Sequence, residues 1–462
     1  MELGRMQRIL LAKIEVWLVL ALAILGIVGA LVFAAMVLDA ARVTGHPRFV
    51  QRAALAVAEV PLTAQQLLRG GSQDMHGFRA EKITGTGWSF AEGAAGTGLL
   101  GYLLVSRFDG DRRRPVVDLM SLADGKTRLT WAPDIDAILA DAPRTSLVAT
   151  LSNWTNARFR IIHPDVTGDG GLLVKDMYSP LVRIDACGVP EWRLDAQMFH
   201  HSTESDGNGN WWIGGVIEPA TIPHVPPGFF DDAATLVSPE GKVLTTIPLS
   251  ELFIRKGLRS LIHPIGRFDK DPLHNNDIEP VLADGPYWRK GDLFLSFRAN
   301  STIFLYRPST DEIVWSKRGP WEGQHDIDIL DDHRIAIYDN RAYHPGDFGR
   351  VDGASDVVVY DFATGQVSHP WKAAMEREGV QSLFEGLFTV LPGGALVVEN
   401  HATGLILVLG PDGRTLARYV NRGADGEIYQ LGWGRWIDPA RGEAAIAAAE
   451  GVRKEKGCPA AG

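Results

Sequence analysis

The sequence has few cysteines. Cys187 and Cys458 stand far apart in a chain of 462 residues, and neither belongs to a CxxC pair or to any other metal-ligand spacing. Neither a disulfide framework nor a cysteine-based zinc site is therefore expected.

The chain also lacks an excess of basic residues. It has 46 Lys and Arg and 56 Asp and Glu, which gives a formal net charge of −10. A domain that coats DNA or RNA is usually strongly basic, so nucleic acid is not expected as a partner. A hydrophobic content of 45% and a charged content of 22% are typical of a globular protein rather than of a disordered chain.

After residue 38 there is no second long apolar run. Residues 16–38 carry no charge, and about 20 apolar residues in a helix cross the hydrocarbon core of a bilayer. A cleavable signal peptide has an apolar core of only about 7–15 residues, so the run predicts an uncleaved single-pass anchor. Three basic residues lie on each side of it, which leaves the charge signal for orientation weak. The short segment before the span favours a cytoplasmic N-terminus, with the globular part in the periplasm of a bacterial inner membrane.

The rest of the chain divides by its pattern. We predict a membrane anchor over 1–39, a helical linker over 40–76, a β-propeller over 77–440 and a tail over 441–462, with a short helix and a loose end. The linker pattern is helical but interrupted at Pro61.

One unit recurs after residue 75. It consists of a β-rich run, a turn that contains Gly or Asp, and a second run. The six copies span 115–131, 181–194, 234–247, 302–317, 357–371 and 405–420.

Their turns lie about 58 residues apart on average. Repeats of this size, built from strands without an interleaved helical period, predict an all-β fold, namely a six-bladed β-propeller. An irregular pair of β-sandwiches is the alternative. A propeller gathers the inner strands of all blades around one axis, so residues far apart in the chain can meet in one pocket.

Several histidines precede these hairpins. Each of them fits a structural role taken singly, but they form an ordered set. The segments are HHSTESDGNGN with His200 and His201, LHNNDIEPV with His274 and Asn276, LFLSFRANSTI with Arg298, and QHDIDILDDHRIAIYDN with His325.

These four motifs, in this order, resemble those of the bacterial arylsulfate sulfotransferases. Members of that family are periplasmic six-bladed propellers that move a sulfuryl group between phenols without a nucleotide donor. The resemblance implies that His325 is the nucleophile that becomes transiently sulfated. It also implies that His201 (in preference to His200), His274, Asn276 and Arg298 hold the sulfuryl oxygens.

The chain departs from the family pattern at two positions in these motifs. Ser202 stands where Asp usually follows the His-His pair, and Arg341 stands where Gly usually follows the Asp-Asn strand end.

The residues themselves are suited to this chemistry. Sulfuryl transfer needs donors aimed at negatively charged oxygens and a nucleophile in line with the leaving group. Neutral imidazole serves as a nucleophile near pH 7, and Arg298 offers a forked cation. Aryl sulfates and phenols are the expected small-molecule partners, no cofactor is expected, and the oligomeric state stays open.

Three other interpretations fit the same residues. The histidines could bind a metal ion, although Arg298 in the set argues against one, and no metal is expected. The chain could be a non-catalytic, membrane-tethered propeller that binds ligands or serves as a scaffold. It could also be a hydrolase that uses water as the acceptor.

Overall fold

The computed structural model describes residues 15–42, 57, 75–77, 80, 82–94, 99–143, 154–226, 228–266, 268–345 and 349–458. The chain divides into two compact units, Met1–Gln73 and Asp74–Gly462. The helical linker predicted for 40–76 lies almost entirely outside the described residues.

The first unit contains the apolar helix that the sequence predicts. It spans Val16–Arg42, and its segment Val16–Val37 has a mean hydropathy of 2.9 with none of it buried. Among the described residues it is the one helix long and apolar enough to cross a membrane. Length and composition of this kind fit either a membrane anchor or a signal sequence.

The second unit is all-β and propeller-like, with every strand pair antiparallel. The first sheet combines β2 (Tyr102–Asp109), β3 (Arg114–Ser121) and β4 (Thr127–Trp131) with β26 (Arg435–Ile437) from the far end of the chain. A seven-stranded sheet follows, from β5 (Asp165–Val166), β6 (Leu172–Val174), β7 (Ser179–Ile184), β8 (Pro190–Ser205), β9 (Trp211–Ile217), β10 (Asp231–Val237) and β11 (Val243–Pro248).

Three more large sheets complete this unit. One contains β12 (Asn275–Pro280), β13 (Leu293–Phe297), β14 (Thr302–Arg307) and β15 (Glu312–Arg318). The next contains β16 (Ile327–Ile329), β17 (Arg334–Asp339), β20 (Asp356–Asp361) and β21 (Val367–Ser368), with β18 (Ala342–Tyr343) and β19 (Arg350–Val351) as a separate pair. The last contains β22 (Leu387–Val390), β23 (Leu396–Asn400), β24 (Leu405–Leu409), β25 (Thr415–Val420) and β1 (Gly87–Phe90).

All six predicted repeats form antiparallel hairpins, between β3 and β4, β7 and β8, β10 and β11, β14 and β15, β20 and β21, and β24 and β25. Four of the large described sheets have four or five strands, the size of a single blade, and the fifth has seven. The number of separate sheets therefore does not confirm six blades.

Apolar side chains between neighbouring sheets form the core. Strand β13 is buried along its whole length, whereas β15, at the outer edge of the same sheet, is half-exposed. Separate hydrophobic clusters lie between sheets that follow one another in the chain, and one cluster joins the last sheet to the first through Val397, Ile406, Leu103 and Val105. Both chain ends cross over, since β1 pairs with β25 and β26 with β2. These pairings close the ring.

The short helices lie between strands. They span Ile135–Ile138, Leu249–Arg255 and Lys372–Glu378, with 3₁₀ turns at Arg259–Leu261, Arg298–Asn300 and His401–Thr403.

The helix predicted for the tail is present, but the described residues that follow it are held by a disulfide and are not a loose end. Pro439–Lys456 is a helix whose Asp438 cap accepts a hydrogen bond from the N–H of Arg441. Its Ala445 and Ala449 are buried in the core.

The sequence leaves open whether the two cysteines meet, and the structure answers the question. A disulfide joins Cys187 and Cys458 across 271 positions. Cys187 lies in the turn between β7 and β8, and the C-terminal helix brings Cys458 to it, a contact that the wide spacing in the chain conceals.

Candidate active site

His201 enters the site through an irregularity in β8. The register between β8 and β9 shifts between His200 and Thr203, and His201 has a φ of 52°. A bulge of this kind re-aims a side chain. The His201 ring lies 5.1 Å from the ring of His274 and 6.1 Å from that of His325, measured between centroids.

His200 lies beside His201 and contacts Asp232 on its other side. Its Nε2 lies 3.4 Å from Asp232 Oδ1, and its Nδ1 lies 2.7 Å from Nδ1 of His201. One of these two nitrogens donates to the other, so the two rings have complementary tautomers. Of the two histidines, His201 is the one that contacts His274 and His325.

A buried lysine supports the backbone at this point. Lys175 is 1% exposed, and its ammonium donates to the carbonyl oxygens of His201 and Ile162. Burial lowers the pKa of Lys175 to about 7. These contacts hold the unusual backbone of His201 in place.

His274 and Arg298 lie side by side. His274 begins the entry to β12 with a φ of 53°, and its carbonyl accepts a hydrogen bond from the N–H of Arg298. The Arg298 guanidinium lies 5.0 Å above the ring of Phe384. Its Nε is buried without a hydrogen-bond partner. An unsatisfied buried donor of this kind favours an anionic ligand.

A carboxylate next to His274 raises the pKa of its imidazole. The Nδ1 of His274 lies 2.5 Å from Asp271 Oδ2. Burial alone would lower the pKa of His274, but Asp271 outweighs it and the pKa is raised.

His325 is held in one tautomer by Asn340. The amide nitrogen of Asn340 donates to the carbonyls of Ser382 and Glu385, so its Oδ1 faces His325 Nδ1 at 2.7 Å. Nδ1 of His325 therefore carries the hydrogen and Nε2 carries the lone pair. That lone pair accepts a hydrogen bond of 2.9 Å from the backbone N–H of Glu385.

His325 is also uncharged at neutral pH. It is 1% exposed, and burial together with nearby Arg298 holds its pKa well below the usual range. Burial lowers the pKa of His201 in the same way, with the neighbouring His200 adding to the effect. The cluster thus combines neutral imidazoles with one imidazole of raised pKa and one guanidinium.

Trp433 forms a wall of the cluster. Its ring lies 6.0 Å from that of His325 and 5.7 Å from that of His201. The indole N–H donates to Glu385 Oε2, and the other Glu385 oxygen pairs with Arg160. The Glu385 charge is thereby neutralised, and Arg160, followed by His401, lowers its pKa although burial alone would raise it.

Asn276 is fully buried two positions after His274. Its amide nitrogen donates to the carbonyl of Gln324, the residue before His325, and its Oδ1 has no hydrogen-bond partner. The role predicted for Asn276 in holding sulfuryl oxygens stays a prediction.

The residues that directly follow His201, Asn276 and His325 in the sequence connect neighbouring sheets through hydrogen bonds. The N–H of Ile327 donates to Asp277, and the N–H of Phe388 donates to Asp326. The hydroxyl of Ser202 accepts the equivalent bond from the N–H of Ile278. Serine at this position therefore keeps the cross-sheet contact that a carboxylate makes after Asn276 and His325.

Arg341, the second departure, also has a structural explanation. Its φ is 50°, in the region that favours glycine. Its guanidinium pairs with Asp352 at 2.8 Å, which holds the side chain away from the cluster.

The structure brings His201, His274, Arg298 and His325 together from four segments of the chain. Sequence reasoning missed Lys175, Asp271, Glu385 and Trp433. Asp271 gave a weak signal because it stands three positions before His274, while the other three lie far from the four motifs in the sequence.

A family profile described as Arylsulfotransferase (ASST) matches residues 175–422. The matched region contains all four motifs. No curated protein sequence matches the chain.

Solved structures resemble the chain weakly. A protein of unknown function from Bacteroides caccae has 11% identity and a TM-score of 0.42, with 69% of this chain and 93% of that chain covered. The Pan2 WD40 domain of Neurospora crassa has 11% identity and a TM-score of 0.37, with 73% and 85% covered. A nidogen/laminin complex has 9% identity and a TM-score of 0.40, with 72% and 97% covered.

These scores are too low to carry a conclusion about function. The profile match spans more than half of the chain and agrees with the motif order. The chain belongs to the arylsulfotransferase family.

Proposed function

We propose that this protein transfers a sulfuryl group from an aryl sulfate ester to a phenol, with His325 as the nucleophile. The observation that carries the proposal is the state of His325. Its imidazole is neutral, Asn340 holds the hydrogen on Nδ1, and the lone pair on Nε2 lies in the cluster that contains Arg298.

The surrounding groups fit a sulfuryl group. Three negatively charged or partly charged oxygens need several directed donors. Arg298 supplies a guanidinium with an unpartnered Nε, and His201, His274 and Asn276 supply further polar groups. Arg298 carries a positive charge and Asp271 favours one on His274, and positive charge attracts an anionic sulfate monoester.

The reaction runs in two balanced halves. In the first half, the lone pair of His325 Nε2 forms an N–S bond while the S–O bond to the aryl group breaks and the aryl oxygen leaves with the electron pair as a phenolate. In the second half, the phenolate oxygen of another phenol attacks sulfur, the N–S bond breaks and its electron pair returns to His325 Nε2. His325 is thus sulfated only transiently, which is a ping-pong cycle.

One hydrogen bond must break before this attack. The Glu385 N–H occupies the lone pair of His325 Nε2 in the structure. The adjoining Phe384 covers Arg298. A substrate therefore has to displace the segment around Phe384 and Glu385 to reach both groups.

The test is to supply an aryl sulfate without a phenol acceptor. A sulfuryl group should accumulate on the peptide that contains GQHDIDIL, and mass spectrometry detects it. His325→Ala and His325→Asn should lose both the adduct and turnover while they keep the fold. The matched control is His333→Ala, because His333 lies in a half-exposed turn and its loss should leave turnover close to wild type.

Turnover at the wild-type rate in His325→Ala would contradict the proposal. Sulfate release that an added phenol does not divert would indicate a hydrolase. No adduct and no turnover with any aryl sulfate would favour a non-catalytic binding propeller.

We also propose that the propeller has six blades. Strand β8 is 16 residues long, and its first half pairs with β7 while its second half pairs with β9. Side chains from both halves of the seven-stranded sheet form one hydrophobic cluster, which includes Leu173, Phe199 and Val237. We interpret this sheet as two blades that share β8, which raises the total from four to six.

Membrane anchoring and a periplasmic location are also proposed. The Val16–Arg42 helix supports the first. The Cys187–Cys458 disulfide supports the second, because disulfides persist in oxidising compartments. The expected result is a protein that remains in the membrane pellet after carbonate extraction, and a mature N-terminus beyond residue 38 would contradict it.

A further inference from the structure

His274 differs from the other imidazoles of the cluster in its exposure. His325 and His201 are 1% and 2% exposed, whereas the His274 side chain is 19% exposed. His274 therefore lies on the side of the cluster that solvent reaches. A phenolic leaving group or acceptor, which has to enter and leave, must pass on that side.

The hydrogen bonds of His274 leave one nitrogen available. Its Nδ1 is bound to Asp271 Oδ2. Across the described part of the chain, its Nε2 has no hydrogen-bond partner. The protonated imidazole therefore donates Nδ1–H to Asp271 and presents Nε2–H to a ligand.

The charged groups around His274 come from several elements. Asp271 and Asp232 raise its pKa, and burial and Arg298 lower it. His201 packs against its ring, and His200 and Tyr178 lie next to the same carboxylates. The carboxylate of Asp271 has the largest raising effect.

We propose that Asp271 is a positioning residue that makes His274 the acid and base for the phenol oxygen. This inference rests on the proposed sulfuryl transfer, and it assigns the one available nitrogen of His274 to the phenol oxygen instead of to a sulfuryl oxygen. In the first half-reaction, the S–O bond breaks and the departing phenolate oxygen takes the proton of His274 Nε2. In the second half-reaction, Nε2 takes the proton of the acceptor phenol as its oxygen attacks the sulfur bound to His325.

No other group in the cluster suits this exchange. His325 is the nucleophile, and burial keeps the pKa of His201 well below the usual range, so His201 carries no spare proton. A guanidinium does not release its proton. The Lys175 ammonium is enclosed by two backbone carbonyls.

The test compares two donors in the full-length protein. Phenyl sulfate releases a basic phenolate that needs a proton, and 4-nitrophenyl sulfate releases a weakly basic one that does not. Asp271→Asn should slow transfer from phenyl sulfate by about a hundredfold and transfer from 4-nitrophenyl sulfate by less than about tenfold. The alkaline limb of the pH profile should also move to lower pH, because an uncharged partner no longer stabilises the imidazolium.

The matched control is Asp332→Asn. Asp332 makes the same type of contact with His333, 2.6 Å between Oδ1 and Nδ1, on the surface and away from the cluster. This variant should keep wild-type rates with both donors.

Equal losses with both donors and an unmoved pH profile would show that Asp271 only maintains the structure, and would overturn the inference. If Asp271→Asn does not fold, a nuclear magnetic resonance titration of wild-type His274, assigned by comparison with His274→Gln, decides the question. A His274 pKa below 6.5 would overturn the inference. No transfer by the wild type from either donor would instead overturn the proposed function, and this inference with it.

Discussion

Several residues of the cluster have an unusual backbone. Six of the described non-glycine residues with positive φ belong to the site or pack against it. They are His201, His274, Glu385 and Trp433, with His163 next to Trp433 and Tyr178 next to His200. Each such residue costs roughly 1–3 kcal/mol, and strained residues of this kind concentrate at functional sites. The backbone therefore points to the same location as the motifs, by an argument that does not depend on the family.

The sequence allowed part of this site to be predicted. His201, His274, Arg298 and His325 stand in motifs whose order could be recognised. Glu385 and Trp433 could not be predicted, because their contribution depends on a backbone N–H aimed at His325 and on an indole packed against two imidazoles. Contacts of this kind arise only when the ring closes.

Replacing Arg298 with Lys should remove most transfer activity, a loss of more than about tenfold. Lysine keeps the charge but has a single ammonium, which cannot form the forked contact to two oxygens or lie flat on an aromatic ring. Steady-state rates with an aryl sulfate and a phenol measure the effect.

Arg318→Lys is the matched control, because Arg318 is exposed on β15 of the same sheet. Activity within about threefold of wild type in Arg298→Lys would mean that Arg298 contributes charge alone.

At the scale of elements, the hairpins were predictable and the sheets were not. The six repeats show in the sequence because each carries its own strand pair and turn. The seven-stranded sheet, in which β8 pairs first with β7 and then with β9, could not be predicted. No sequence signal marks where a strand ends its pairing with one neighbour and begins pairing with the next. The C-terminal helix was also missed as part of the core, since its Ala445 and Ala449 pack against residues such as Trp131 that lie far away in the chain.

The C-terminal helix is fixed by more than one type of contact. Arg453 donates to the carbonyls of Ala186 and Thr130, and Lys456 pairs with Asp185 at 2.7 Å. The disulfide follows directly after this helix. Helix and disulfide together connect the end of the chain to the first half of the seven-stranded sheet.

Replacing both Cys187 and Cys458 with Ser should lower the free energy of unfolding by up to about 5 kcal/mol, because the disulfide closes a long loop in the unfolded chain. Denaturant unfolding of the oxidised wild type and of the double variant measures the difference. The reduced wild type serves as the control and should match the variant. Identical midpoints for all three samples would show that the helix contacts alone hold this end.

At the scale of the whole molecule, the chain buries many of its acidic groups. Burial raises the pKa of Asp176, Asp328 and Glu399 to about 7. Burial, followed by neighbouring carboxylates, raises the pKa of Asp277 and Asp326 well above the usual range. The cross-sheet contacts that order the ring therefore place carboxylates where ionisation is costly. The net charge in the sequence gave no indication of this, since it does not reveal which acids are buried.

The fold should consequently lose stability as the pH rises from about 6.5 to about 8.5. In this range the unfolded chain has already released its carboxyl protons, since its acids titrate near pH 4, while the folded chain still holds several. Raising the pH removes protons from the folded state alone and so disfavours it. The buried histidines of lowered pKa oppose this trend mainly below pH 6.5, where the unfolded chain begins to protonate them. Above pH 6.5 the main opposing group is Lys175, whose pKa of about 7 lies below its unfolded value.

Thermal unfolding at constant ionic strength should therefore show a melting temperature several degrees lower at the alkaline end. Asp328→Asn should flatten this dependence, because it removes one of the carboxyls that ionise there. Asp284→Asn, on an exposed loop, should leave it unchanged. A melting temperature that stays constant or rises over this range would mean that the buried carboxylates are ionised in the folded protein and that Arg435, which contacts Glu204 and Asp165, compensates for their charge.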